Sequence, residues 1–209
     1  METRKQRVIF YVDGFNFYFG MKQKKWRKYY WLDMVAFCSS FLRPHQELIE
    51  VNYFSAVPNN NKGKKERQDL FFSANRTNEK FNLYLGKFLE KKITHHECGK
   101  EFTTFEEKET DVHIATNMIK DVVLDRCDMS ILITADSDLI PPLDFIKEYK
   151  PLHKIISYFP PARYSSALAS TSNAVIKLDN HEARFKAAQL PDEVELPNKY
   201  VLKRPKHWS

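Results

Sequence analysis

Asp136 and Asp138 stand one residue apart at the end of the apolar run Ile131-Leu132-Ile133-Thr134-Ala135. Near the start of the chain, Val8-Ile9-Phe10-Tyr11-Val12 runs straight into Asp13-Gly14-Phe15-Asn16. A buried strand that delivers a carboxylate at its C-terminal end is a common way for an open α/β sheet to build a site. A third acidic segment, Glu106-Glu107-Lys108-Glu109-Thr110-Asp111, leads into an apolar helical stripe. Carboxylates brought together repel unless a cation offsets their charge or some take up protons. Oxygen donors without a His or Cys cluster favour Mg²⁺ or Mn²⁺ over zinc. Such an ion lowers the pKa of a bound water and stabilises charge developing on a phosphate.

Each acid also has a plainer use. Asp111 suits a helix N-terminus, where the dipole favours negative charge. Asp136 and Asp138 fit a capped turn, and Asp13 fits an Asx turn before Gly14. Spacing alone leaves both uses open.

The elements that must position these acids follow from pattern. Residues 8–12 read as a strand, with Gly14 permitting the turn beyond it, and a helix begins over 15–22. Asp33 is placed to cap a helix running to about Leu42, closed by Pro44. A strand over 48–57, a loop at Pro58-Asn59-Asn60-Asn61 and a helix from Lys64 to about Asn75 come next. Residues 82–107 alternate in short runs around Cys98-Gly99, as a hairpin or projecting loop would. Val112, Ala115, Ile119, Val122 and Val123 form a helical stripe. Then come a strand over 130–135, a helix after Pro141-Pro142, a strand over 153–158, a short helix or turn over 165–171 and a strand over 174–178. Beyond about residue 180 the chain is polar and punctuated by proline. Strands alternating with helices imply an α/β fold, a mostly parallel central sheet with helices on both faces. In such a sheet Asp13, Asp136 and Asp138 reach the same edge.

With 209 residues, a 43% hydrophobic fraction and 14% aromatics, the chain has the makings of one well-cored domain and is not a disordered one. Its formal charge of +6 contrasts with acidic motifs, as suits a polyanion held by Lys and Arg around a metal site; mild basicity also serves solubility alone. Cys38, Cys98 and Cys127 are odd in number and far apart, so reduced thiols in a cytoplasmic setting are the simplest reading. The first apolar run stops at Asp13 after five residues, too short for a signal peptide or a membrane span.

Lys22-Gln23-Lys24-Lys25-Trp26-Arg27-Lys28-Tyr29-Tyr30-Trp31 is basic and aromatic without one acid. Lys24, Lys25, Arg27 and Lys28 are candidates for gripping phosphates while Trp26 or Tyr29 stacks on a base. An equal reading packs the aromatics inward. Arg163 follows a strand and is a further candidate contact, whereas Lys62, Lys64, Lys65 and Arg67 read as an exposed helix start.

Val12-Asp13-Gly14-Phe15-Asn16-Phe17-Tyr18, Glu107-Lys108-Glu109-Thr110-Asp111-Val112 and Ile133-Thr134-Ala135-Asp136-Ser137-Asp138-Leu139-Ile140-Pro141 resemble, in order, the three signature blocks of the NYN family. These are PIN-like, metal-dependent ribonucleases. The resemblance covers roughly 8–180 and implies a Rossmann-like PIN fold over 1–180, with 181–209 a basic tail packed on the same domain. It implies an acidic site for Mg²⁺ or Mn²⁺ and hydrolysis of RNA to a 5′-phosphate and a 3′-hydroxyl. Carried over, Asp13 matches the first-block acid, Asn16 its supporting amide, Asp111 the middle acid, Asp136 the principal third-block acid and Asp138 its second acid. Many members have an Asp six positions after the middle acid. Here that position is Asn117, which ligates only through its amide oxygen or a water and brings one negative charge fewer. Glu109 and Ala135 stand where glycine is frequent. Some relatives carry paired cysteines before the middle block; this chain has His95-His96-Glu97-Cys98 without a CxxC, which reads as a solvated loop rather than a zinc site.

The implied partner is RNA, with no membrane and no organic cofactor, and homodimerisation stays open. A catalytically weak or inactive PIN-like module that binds RNA or a protein is the second reading, supported by Asn117. A small-molecule phosphatase is the third; the Asp-x-Asp that such enzymes carry after the first strand is missing, since Asn16 follows Asp13 by three.

Overall fold

β1 (Gln6–Asp13) is buried from Val8 onward, and its alternate side chains enter two different cores. Val8, Phe10 and Val12 face one, Ile9 and Tyr11 the other. A strand buried on both faces and flanked by parallel neighbours is the signature of a sheet covered by helices on both sides. The computed structural model describes residues 4–57, 62–94, 99 and 101–208. Its remaining main strands are β2 (Gln46–Ala56), β3 (Phe81–Thr94), β4 (Glu101–Lys108), β5 (Met129–Ile133), β6 (Lys154–Phe159) and β7 (Ala174–Lys177). Their order is β4-β3-β2-β1-β5-β6-β7, parallel throughout except that β4 runs antiparallel to β3 at the edge.

The helices are α1 (Gly14–Gln23), α2 (Met34–Ser39), α3 (Lys62–Asn75), α4 (Thr110–Val123), α5 (Ile140–Tyr149), α6 (Ser166–Thr171) and α7 (Glu182–Ala187). Phe17 and Met21 of α1, Phe37 of α2, Phe71 of α3 and Phe185 of α7 fill the first core. Ile114, Met118 and Val122 of α4, Ile146 of α5 and Leu168 of α6 fill the second. α2 stops at Ser39, short of the Leu42 that the sequence suggested. There the chain tightens into three-residue turns, Phe41 N–H to Cys38 O and Leu42 N–H to Ser39 O, and the Ser40 hydroxyl donates to Phe37 O.

The second core also holds polar groups that are paired. The Tyr11 hydroxyl donates to buried Asp121 over 2.9 Å, and Arg126 bridges Asp121 and Glu50. Ser130 Oγ lies 2.9 Å from His153 Nε2, both buried. Burial holds the His153 imidazole down at about 4, so it is neutral near pH 7.

The polar stretch beyond residue 180 is folded. It supplies α7 and an antiparallel pair, β8 (Glu193–Glu195) and β9 (Val201–Lys203). Phe185 stacks on Phe17 and packs on Phe37 and Trp26, and Trp208 closes over Tyr30 and Trp31. The motif His95-His96-Glu97-Cys98 and the loop 58–61 lie outside the described residues. Cys38 and Cys127 are buried free thiols. Among the described residues, no helix is long and apolar enough to cross a membrane.

β1 lies between β2 and β5, so the chain leaves β1 toward one side of the sheet and later returns to the other. This reversal opens a crevice at the C-terminal ends of β1 and β5, the place where open α/β sheets bind ligands. Val12 pairs with Ile133, which sets the next residues, Asp13 and Thr134, side by side at that crevice.

Candidate metal centre

Asp13 is both the last residue of β1 and the N-cap of α1. Its Oδ1 accepts the Asn16 N–H over 3.0 Å, satisfying one of the free donors of the first turn. The turn needs glycine at position 14. A Cβ there would sit 2.5 Å from the Tyr53 ring and 2.6 Å from Phe54 O, so strand β2 and α1 approach this closely only over a bare backbone.

A second set of bonds locks β1 to the loop after β5. The Thr134 hydroxyl donates to Asp13 Oδ2 over 2.8 Å and accepts the Asp136 N–H over 3.1 Å. Asn16 Oδ1 accepts the Ala135 N–H over 3.1 Å. Asp136 then caps a single 3₁₀ turn, Ser137–Leu139, its Oδ1 taking the Asp138 N–H over 3.0 Å. Asp136 therefore does cap a turn, and the same geometry turns it toward Asp13.

Asp111 opens α4. Glu109, the residue before Thr110, sits at φ +78°, in the left-handed region where glycine is preferred. Gly86 of β3 lets this turn pass close: a Cβ there would lie 2.4 Å from Lys108 O and 2.9 Å from Thr110 Oγ1. The Lys87 ammonium pairs with the Glu109 carboxylate over 3.0 Å.

Carboxylate oxygens of Asp13, Asp111 and Asp136 all fall within 4.8 Å of one another. Asp13 is buried, Asp136 half-buried and Asp111 exposed, giving a floor, a wall and an open rim. Burial pushes the Asp13 carboxyl up to about 6; the Asn16 and Thr134 hydrogen bonds pull it back, and the charges of Asp111 and Asp136 raise it further. Burial also raises the Asp111 carboxyl, and the charges of Asp136 and Asp138 add to it; Asp138 is exposed and is not one of the three acids whose oxygens converge. A hard divalent cation fits this donor set. All the ligand atoms are oxygens, and a positive ion relieves the repulsion that raises both carboxyls.

Residues 7–179 match the family model described as NYN domain. The chain belongs to this family. Asp13, Asp111, Asp136 and Asp138 all lie inside the matched segment. None of the curated proteins compared with the chain matches it. Among solved structures, it is similar to a protein of unknown function, VPA0982 from Vibrio parahaemolyticus RIMD 2210633. That likeness has a TM-score of 0.56 and 16% sequence identity, covering 84% of this chain and 95% of the other. It speaks for the fold alone.

Asn117 is buried on α4 and bonded within that helix. Its Nδ2 donates to His113 O over 2.9 Å, and its Oδ1 accepts from Lys120 Nζ over 2.9 Å. The basic–aromatic run lies at the other end of α1, about 15 Å from Asp13 at 1.5 Å per residue. There Trp26, Tyr29, Tyr30 and Trp31 are buried. Lys24, Lys25, Arg27 and Lys28 are all exposed, and Lys24 pairs with Asp179 over 2.9 Å and Lys28 with Glu182 over 3.2 Å. Arg163 is half-buried: its Cγ lies 3.3 Å from where a Gly20 Cβ would stand, and its Nε has no hydrogen-bond partner.

Sequence reasoning missed Thr134. Its signal was a hydroxyl directly after the apolar strand end Ile131-Leu132-Ile133, two residues before the acid whose N–H it accepts.

Proposed function

We propose that this NYN protein is a ribonuclease that hydrolyses RNA phosphodiester bonds with Mg²⁺ or Mn²⁺. The observation that carries the reading is the convergence of Asp13, Asp111 and Asp136 at the switch point of the sheet, with Asp13 buried and its carboxyl raised. A buried acid held against two like charges is unfavourable for stability and is accounted for by a cation. Family membership and the basic charge of the chain favour RNA as the polyanion.

Asp13, Asp111 and Asp136 would hold the ion, which when bound supplies charge stabilisation on the phosphate and acidifies water. Asn16 and Thr134 fix the direction of the Asp13 oxygens, and Thr134 ties that direction to Asp136. Asp138, exposed and with its N–H on Asp136, would orient the attacking water and take its proton. The water oxygen bonds to phosphorus in line as the bond to the 3′ oxygen breaks. The 3′ oxygen leaves taking a proton from bulk water, and the 5′-phosphate stays on the other fragment. The Asn117 amide oxygen accepts from Lys120 instead of standing free beside these acids.

That amide is also the one feature favouring a second reading, a PIN-like module that binds RNA without cutting it. The test is cleavage of an end-labelled RNA by the purified chain. Cutting that stops in chelator, returns with Mn²⁺ and leaves 5′-phosphate ends supports the nuclease. RNA binding with no product at any metal concentration supports the module.

A further inference from the structure

α1 shows aromatic rings to solvent as well as to the core. Phe17 and Met21 point inward, whereas Phe15, Tyr18, Phe19 and Lys22 recur at the spacing of one helical stripe on the other side. Phe19 is 42% exposed and Tyr18 37%. Single exposed aromatics are ordinary, but these rings are contiguous. Phe15 lies 6.3 Å from Phe19 and 5.6 Å from Phe88 of β3, and Tyr18 lies 5.3 Å from Phe19, centroid to centroid.

Three observations say what covers them. The patch grows out of the metal centre: Asp13 caps this helix, and Asn16, next to Phe15, holds the loop that carries Asp136. A cation edges it, Lys22 Nζ lying 5.7 Å from the Phe19 ring. Finally, α1 has no acidic residue along its whole length. A site built from carboxylates repels the backbone of its polyanionic substrate. Stacking on uncharged base faces supplies attraction that this repulsion does not cancel, and only unpaired bases offer those faces.

We propose that Phe15, Phe19 and Phe88, with Tyr18 and Lys22, form a stacking platform for unpaired bases of the RNA whose backbone reaches the acids; this rests on the nuclease reading. The platform differs from the basic run at the far end of α1, whose aromatics are buried.

Fluorescence anisotropy of the full chain in chelator, where nothing is cut, tests it with a labelled unstructured oligoribonucleotide and a duplex of the same composition. The single strand binds more tightly than the duplex. Phe19→Ala weakens the single strand about tenfold, Phe19→Trp keeps it, and Phe15→Leu, which keeps an apolar side chain but removes the ring, also weakens it. Equal affinity of wild type, Phe19→Ala and Phe15→Leu overturns the proposal. So does an equal loss on duplex, absence of single-strand binding by wild type, or a Phe19→Ala effect confined to self-association. Stacking and nuclease readings fail separately. A chain that cleaves RNA with Mn²⁺ but ignores Phe19→Ala loses the platform alone, whereas Phe19-dependent binding without cleavage loses the nuclease alone.

Discussion

The Thr134 hydroxyl donates to Asp13 Oδ2 over 2.8 Å, tying the end of one central strand to the segment that follows its neighbour. The same oxygen accepts the Asp136 N–H, so one buried hydroxyl sets two of the three clustered acids. Thr134→Val keeps the shape but leaves an unsatisfied carboxylate oxygen and N–H. Unfolding should then become easier by about 1–3 kcal/mol. Metal affinity should fall about 10- to 100-fold, as for other groups that orient ligands. Thr134→Ser should recover most of both, which a titration with Mn²⁺ and a denaturant curve would check.

Asp13 should cost stability to keep. Its carboxyl is raised from 3.8 to about 6, chiefly by burial. The folded state therefore holds this proton more tightly than the unfolded one. The stability that gives is present below about 3.8 and lost as pH rises through about 6, a change of about 3 kcal/mol. In chelator at pH 7, Asp13→Asn should be more stable than wild type by about 1–2 kcal/mol, after the loss of the acceptor for Thr134. It should be inactive. His153 acts in the opposite sense: lowered from 6.5 to about 4, it contributes stability above 6.5 that is lost as pH falls through 4. Denaturant curves at pH 4.5 and 6.5 should show the variant gaining stability with pH more steeply than wild type. An Asp13→Asn protein less stable than wild type at pH 7 in chelator would count against a strained acid.

Glu109 at φ +78° is the left-handed residue that shapes the approach to Asp111. Relief of that conformation by Glu109→Gly is worth about 1–2 kcal/mol, against about 0.4–1 kcal/mol of extra unfolded-state entropy. The exposed pair with Lys87 subtracts little. The net expectation is a gain of about 0.5 kcal/mol, readable as a small rise in the denaturation midpoint with unchanged metal affinity.

Asn117 spends both ends of its amide inside α4. Asn117→Ala should shift Mn²⁺ affinity by less than about twofold, whereas Asp111→Asn should lower it by tenfold or more. A comparable loss in the two variants would make Asn117 a ligand.

Why the acids were legible in the sequence while other parts were not has physical causes. A five-residue apolar run ending in Asp has few uses, and parallel pairing brings such ends together, so Asp13 and Asp136 could be placed before any coordinates. Asp111 needed the turn at Glu109, whose left-handed backbone leaves a trace only in the family's frequent glycine. The segment after 180 looked like polar tail because its buried residues, Phe185, Leu190, Val194, Leu202 and Trp208, are too sparse for a period of 2 or 3.6 to emerge. In the run 22–31 the inward reading of the rings stood level with the RNA-gripping one, and the partners of Lys24 and Lys28, Asp179 and Glu182, lie far along the chain. Long-range pairing of that kind is set by tertiary packing and leaves no local pattern.

The claim on which the rest depends is that Asp13, Asp111 and Asp136 converge on one cation. A crystal soaked in Mn²⁺ tests it directly through the anomalous signal of the metal. The account predicts one strong peak about 2.0–2.4 Å from a carboxylate oxygen of each of the three, lost in Asp136→Asn. Absence of a peak between them at millimolar Mn²⁺, or a peak whose ligands include none of the three, would contradict it.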